Sequence, residues 1–182
     1  MRLFFAIELP ADVRAALGRL QPHDDGTAYR WVDPSLMHVT LAFLDEQPED
    51  LLPKLEAIAT QAASGSQAAT LRLGEAGSFG SRRAPRVFWI GLSGDTDALH
   101  ELQQRLAGAL RGAGITLEDR PFNPHITLAR RRERAAGTTP DWPPPHVEHP
   151  SFPMNELTLF QSRLSPRGPT YTAVFRAPLS NN

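Results

Sequence analysis

The chain contains no cysteine, which excludes disulfides, thiolate zinc sites and cysteine nucleophiles together. Lysine is almost missing as well: Lys54 is the only one among 19 Lys plus Arg. Arginine suits bidentate phosphate binding, but a skewed genomic base composition leaves the same imprint, so this bias assigns nothing by itself. Net charge is −1, so no overall positive field exists to hold a long nucleic acid, and any polyanion contact must be local. No run approaches the roughly 20 consecutive apolar residues that a membrane helix needs. The opening M-R-L-F-F-A-I-E-L-P is broken at Glu8 and Pro10, too soon for a secretory signal, and a cytoplasmic location is expected. A G-x-S-x-G elbow is absent too, which removes the usual signature of a serine hydrolase.

What remains is ordinary for a soluble protein with a core: 41% hydrophobic and 21% charged residues over 182 positions. That length fits one domain or two closely packed lobes. Residues 3–9 form an apolar run that predicts a buried strand, followed by a helix over about 11–20 with Pro10 at its entrance. Residues 21–30 are turn-rich, and 38–44 read as a strand. From Pro48 the apolar positions Leu51, Leu52, Leu55, Ile58 and Ala62 share a helix face. Strands are expected at 70–77 and 86–92, a helix over about 95–112, and a strand at 125–129 before the basic run 130–134. The five prolines within 138–150 exclude regular structure there. Two closing strands, 156–162 and 170–176, flank the turn S-P-R-G-P. Strands alternating with helices predict an α+β or α/β layered fold.

Two tetrapeptides carry the chemistry: H-V-T-L at 38–41 and H-I-T-L at 125–128, 87 positions apart. Alternate side chains of a strand share a face. His38 and Thr40 therefore point one way, as do His125 and Thr127, while the apolar residues between them point into the core. A shuffled chain of this composition would contain roughly 0.4 His-x-Thr triplets, and two with apolar residues at both other places only about 0.002 times, so the pair is treated as signal. A lone strand histidine would not be, since single short motifs fail often.

The same residues resemble a known family, the 2H phosphoesterases, and within it the LigT-like RNA 2′,3′-cyclic phosphodiesterases once called 2′–5′ RNA ligases. The likeness runs through R-L-F-F-A-I-E-L-P (2–10), L-M-H-V-T-L-A-F-L (36–44), V-F-W-I-G-L (87–92), R-P-F-N-P-H-I-T-L-A-R (120–130) and E-L-T-L-F-Q-S (156–162). It implies one domain over 1–182, built from two pseudo-symmetric lobes with two mostly antiparallel sheets, helices on the outer faces and a central cleft. Each lobe gives one His-x-Thr motif to that cleft. The implied reaction is metal-independent hydrolysis of an RNA 2′,3′-cyclic phosphate end to a 2′-phosphate, with His38 as proton donor and His125 as proton acceptor. No cofactor or metal is expected. The expected partner is RNA with a cyclic phosphate terminus or a nucleoside cyclic phosphate, and the expected state is a monomer off the membrane.

Elementary chemistry agrees with that reading. Near neutral pH one imidazole is able to accept a proton while its partner donates one, and each transfer typically contributes about 10²–10⁴-fold. Thr40 and Thr127 are placed to hold non-bridging phosphate oxygens. Exchanging the two histidine roles would give a 3′-phosphate from the same residues, and sequence does not choose between them. Arg130 belongs to the carried-over pattern as a phosphate ligand, yet parity sets 125, 127 and 129 on the cleft face, so Arg130 reaches it only if the strand ends or bulges.

Weaker candidates surround this set. Arg82, Arg83, Arg86 and the arginines of 131–134 are candidates to guide an RNA backbone, and Tyr29, Trp31, Phe79 and Trp89 to stack on a base. Trp89 and Phe43 read first as core. His146 and His149 form the one histidine pair with a ligand-like spacing, but the surrounding prolines forbid the helix that would align them. The rival readings are a non-catalytic RNA-end binding module, or the same fold acting on 2′–5′-linked RNA or small nucleotide cyclic phosphates.

Overall fold

Five consecutive apolar residues, Leu3 to Ile7, are all buried in the first strand, β1 (Arg2–Glu8). A strand apolar on both faces must be covered on both, and β1 is central in its sheet. The computed structural model describes residues 1–22, 28–133, 137–144, 146–166 and 168–181. Within them the remaining elements are α1 (Ala11–Gly18), β2 (Tyr29–Trp31), β3 (His38–Glu46), α2 (Leu52–Ser64), β4 (Ala69–Gly80), β5 (Pro85–Gly94), α3 (Thr96–Gly112), β6 (His125–Arg131), β7 (Ser151–Met154), β8 (Glu156–Ser165) and β9 (Gly168–Pro178).

The strands form two sheets, of order β3-β1-β8-β9 and β2-β6-β5-β4-β7, and every named pairing is antiparallel. The fold is α+β. Helix α3 buries Leu99, Leu102, Leu106 and Leu110 along one stripe, and α2 buries Leu55, Ile58, Ala59 and Ala62. The two helices pack on each other. Helix α2 also lies on β8 and β9, and α3 touches β3 and β4, so the pair covers both sheets. A single apolar cluster runs from Leu3 and Val39 in one sheet through these helices to Ile90 and Ile126 in the other. Truncating one such leucine to alanine typically costs about 2–5 kcal/mol.

Two strands differ from expectation. Tyr29–Trp31, whose first two residues were assigned above to a turn-rich stretch, is a three-residue edge strand on β6, too short to show a period. Ser151–Met154 pairs with β4 at the other edge and contains Pro153. An edge tolerates a residue that cannot donate to the ladder, whereas the run of prolines before it suggested irregular chain.

The ladders carry several register shifts, and two of them correspond. Phe5 pairs with Ala42 but Ala6 with Thr40, leaving Leu41 as an extra residue in β3. Likewise Phe88 pairs with Ala129 but Trp89 with Thr127, leaving Leu128 extra in β6. Each bulge lies three residues after a motif histidine and buries two successive residues, Leu41 and Ala42 or Leu128 and Ala129. Beyond it the alternation of faces is inverted.

Candidate active site

His38 and His125 begin β3 and β6 and reach their positions by the same local device. The ring Nδ1 of His38 lies 2.7 Å from the carbonyl oxygen of Leu36, and that of His125 lies 2.7 Å from the carbonyl oxygen of Asn123. A carbonyl only accepts, so Nδ1 carries the hydrogen in both rings. Nε2 is left as the nitrogen able to take or give a proton. The segments before the strands fix these carbonyls. Asp33 caps a 3₁₀ turn at Pro34–Leu36 by accepting from the Ser35 amide, and Asn123 stands between Pro121 and Pro124, separated from them only by Phe122 on one side.

One small cavity, about 80 Å³, is lined by His38, Thr40, Phe43, His125, Thr127, Arg130 and Tyr171. The two histidines and two threonines singled out in the sequence thus come together, one pair from each sheet. Neither threonine hydroxyl has a hydrogen-bond partner among the described residues, which leaves both available to a ligand. Arg130 joins them because the Leu128 bulge reverses the parity that would have turned it away.

Phe43 is a correction. Expected in the core, it is 47% exposed and faces the cavity, because the Leu41 bulge reverses β3 in the same way. Its ring lies against Phe4, which in turn contacts His38 at 4.8 Å between ring centres. Tyr171 of β9 meets His38 edge-on at 5.4 Å. Neither Phe4 nor Tyr171 carried a local signal, since each belongs to a strand distant in sequence from both motifs.

Around His125, Phe79 packs edge-on at 5.0 Å and Trp89 lies at 6.3 Å. Trp89, read first as core, is half-buried beside the site, with a buried indole N–H that has no partner among the described residues. Gly77 makes room for it: a Cβ there would come within 2.3 Å of the indole ring. Neither of the other two stacking candidates lines the cavity. Tyr29 is fully buried and donates its hydroxyl to the Pro85 carbonyl at 2.7 Å, while Trp31 packs on Phe88 and Trp142. Arg82, Arg83 and Arg86 are exposed and line none of the cavities next to the motif histidines. Arg131 stacks its guanidinium over Tyr29 at 5.8 Å; Arg134 lies outside the described residues. His149 engages the Leu73 carbonyl at 2.9 Å.

The electrostatics follow from this enclosure. Burial lowers the His38 pKa, opposed by the hydrogen bond to Leu36 and assisted by the charges of Arg130 and His125. Burial also lowers that of His125, opposed by Asn123 and assisted by Arg130. A charge on one ring therefore disfavours a charge on the other, which suits a pair that works with a single proton between them. Burial pushes the Tyr171 phenol up, partly offset by Arg130 and Arg2, so it stays a protonated donor at neutral pH. No described helix is long and apolar enough to cross a membrane.

Comparison with known proteins points the same way. Residues 9–162 match the model of the 2′-5′ RNA ligase superfamily. A Thermus thermophilus protein named RNA 2′,3′-cyclic phosphodiesterase is 35% identical over 96% of this chain and 88% of its own length. A Geobacillus stearothermophilus protein of the same name is 34% identical over 97% of this chain; the chain spans 56% of that relative's length. Among solved structures, Escherichia coli LigT complexed with 3′-AMP superposes with a TM-score of 0.78 at 30% identity, covering 98% of both chains.

Proposed function

The chain belongs to the 2′-5′ RNA ligase superfamily, in its branch of LigT-like RNA 2′,3′-cyclic phosphodiesterases, and from that premise we propose how its own residues perform the hydrolysis. The observation that carries the reading is the pair of Nδ1-anchored imidazoles, which share one cavity with two unengaged threonine hydroxyls and one guanidinium.

In this reading the cyclic phosphate enters the cavity between the sheets, and its anionic oxygens accept from Thr40, Thr127 and Arg130. Such donors act most strongly where water is excluded and charge is accumulating. His125 Nε2 removes a proton from water as the water oxygen attacks phosphorus. The bond from phosphorus to O3′ breaks on the opposite side, and His38 Nε2–H delivers its proton to that oxygen. The product is a 2′-phosphate and a free 3′-hydroxyl. Return of one proton to His38 and loss of one from His125 through solvent resets the pair.

Arg130 biases both rings toward neutrality. The bound phosphate brings the compensating negative charge, so the acid gains its proton in the complex more readily than in the free protein. Both histidines come from the same chain, which favours a working monomer of one two-lobed domain over residues 1–182, acting in the cytoplasm on RNA with a cyclic phosphate end.

The test is incubation of the purified protein with a short RNA ending in a 2′,3′-cyclic phosphate, with and without a chelator, followed by chromatography of the products. Conversion to a phosphomonoester, unchanged by the chelator, is expected. Binding of the RNA without turnover would instead identify an end-binding module.

A further inference from the structure

A notch of about 80 Å³ is too small for a nucleotide, and it opens on two grooves that differ in charge balance. One, about 600 Å³, presents Phe43, Phe79 and Phe122 together with Arg111, Arg120 and Glu118. The other, about 990 Å³, sets Arg2 and Arg130 against Asp45, Glu46 and Glu118. Two cations against one carboxylate attract a phosphodiester; in the second groove Glu46 is paired with the N-terminal ammonium at 3.2 Å and Asp45 and Glu118 offset the two guanidinium groups, so no net attraction remains. The first groove sets Phe43, Phe79 and Phe122 beside those cations, and its volume falls in the range of built ligand sites, roughly 300–1,000 Å³.

Its platforms are held from behind. Phe122 packs edge-on against His100 at 5.3 Å, and His100 is fixed by its Nδ1 bond of 2.7 Å to the Thr96 carbonyl. Phe79 is wedged between His125 and Trp89. Arg111 stands in the last turn of α3, Arg120 in the loop that leads to His125, and neither forms an ion pair with a described residue. Rigid ring faces beside uncommitted guanidinium groups are the elements of single-strand binding, and stacking on them tolerates any base.

We infer that this groove is a second-nucleotide subsite. It receives the terminal nucleoside as that leaves the notch and, beyond it, the nucleotide on its 5′ side, with bases on the phenylalanines and the connecting phosphate at Arg111 and Arg120. The substrate is thereby an RNA oligomer in preference to a free nucleoside cyclic phosphate. The inference rests on the cyclic phosphodiesterase reading of the adjoining notch and adds the length of RNA that is read.

The experiment compares kcat/KM on an RNA tetranucleotide ending in a 2′,3′-cyclic phosphate with kcat/KM on adenosine 2′,3′-cyclic phosphate, for the native chain and for R111A/R120A. The native chain is expected to favour the tetranucleotide by at least about tenfold. The double variant should lower that ratio roughly tenfold and reduce the salt dependence of tetranucleotide binding by about one in log–log slope. A native ratio near one, an unchanged ratio in the variant, or a parallel fall on both substrates would overturn the subsite. If the native protein cleaves neither substrate, the activity reading fails separately. Fluorescence anisotropy of a labelled tetranucleotide bearing a 2′-phosphate then judges the groove: tighter binding by the native chain than by R111A/R120A supports it, and equal binding overturns it.

Discussion

Phe43 and Arg130 are structural counterparts: each stands five residues after a motif histidine, and each reaches the cleft because a leucine before it, Leu41 or Leu128, is bulged out of the ladder. The two sheets thus use one backbone device with opposite chemistry, an apolar ring on one side of the notch and a cation on the other. The asymmetry places the guanidinium where it acts on both imidazoles and on Tyr171.

Replacing Arg130 by methionine should therefore have two separable effects. Loss of a charge-assisted contact to phosphate, worth about 1.5–3 kcal/mol, should lower kcat/KM by roughly tenfold to a hundredfold. Removing a cation that lowers both histidine pKa values should also move both limbs of the bell-shaped kcat/KM profile to higher pH. Initial rates between pH 5 and 9 measure both. A loss of rate with limbs unmoved would restrict Arg130 to substrate binding.

Gly77→Ala should disturb the site from beneath. Its new Cβ would collide with the Trp89 ring, and overpacking of this kind costs about 1–3 kcal/mol. A lower Tm, altered tryptophan fluorescence and reduced turnover through a displaced His125 are expected together, whereas Gly108→Ala, inside α3 with nothing within 4 Å of its Cβ, should raise Tm slightly and leave fluorescence and turnover unchanged.

The period of two made the site legible as far as Thr40 and Thr127, because alternation holds from the first residue of β3 and β6 to the third. Beyond the bulges it fails, which is why Phe43 read as core and Arg130 stood undecided. A bulge depends on the partner strand, so residues 41 and 128 alone do not announce it. Phe4 and Tyr171 were invisible for a related reason: they join the notch only when β1 and β9 are laid into the sheet. The amphipathic helix α2 was readable from its apolar face, Leu51, Leu52, Leu55, Ile58 and Ala62, and α3 from its start and stop signals. Edge strands of three and four residues, Tyr29–Trp31 and Ser151–Met154, were too short for any period to declare.

The buried histidines also predict an acid weakness. Both have pKa values lowered below the ordinary 6.5 in the folded chain. Above that value both states hold them neutral and no cost arises. As pH falls below it, the unfolded chain takes up protons first, so stability declines. Urea unfolding at pH 7.5 and pH 5 should show a smaller loss for H38Q/H125Q than for the native protein. An equal loss in both would mean that neither imidazole resists protonation in the fold.

The most direct measurement is phosphorus NMR of an RNA ending in a 2′,3′-cyclic phosphate, followed with the native chain, with His38→Ala and with His125→Ala. The native protein should replace the cyclic resonance by that of a 2′-monophosphate, and each variant should be slowed by at least about a hundredfold. Hydrolysis by either variant within tenfold of the native rate would contradict a paired histidine mechanism.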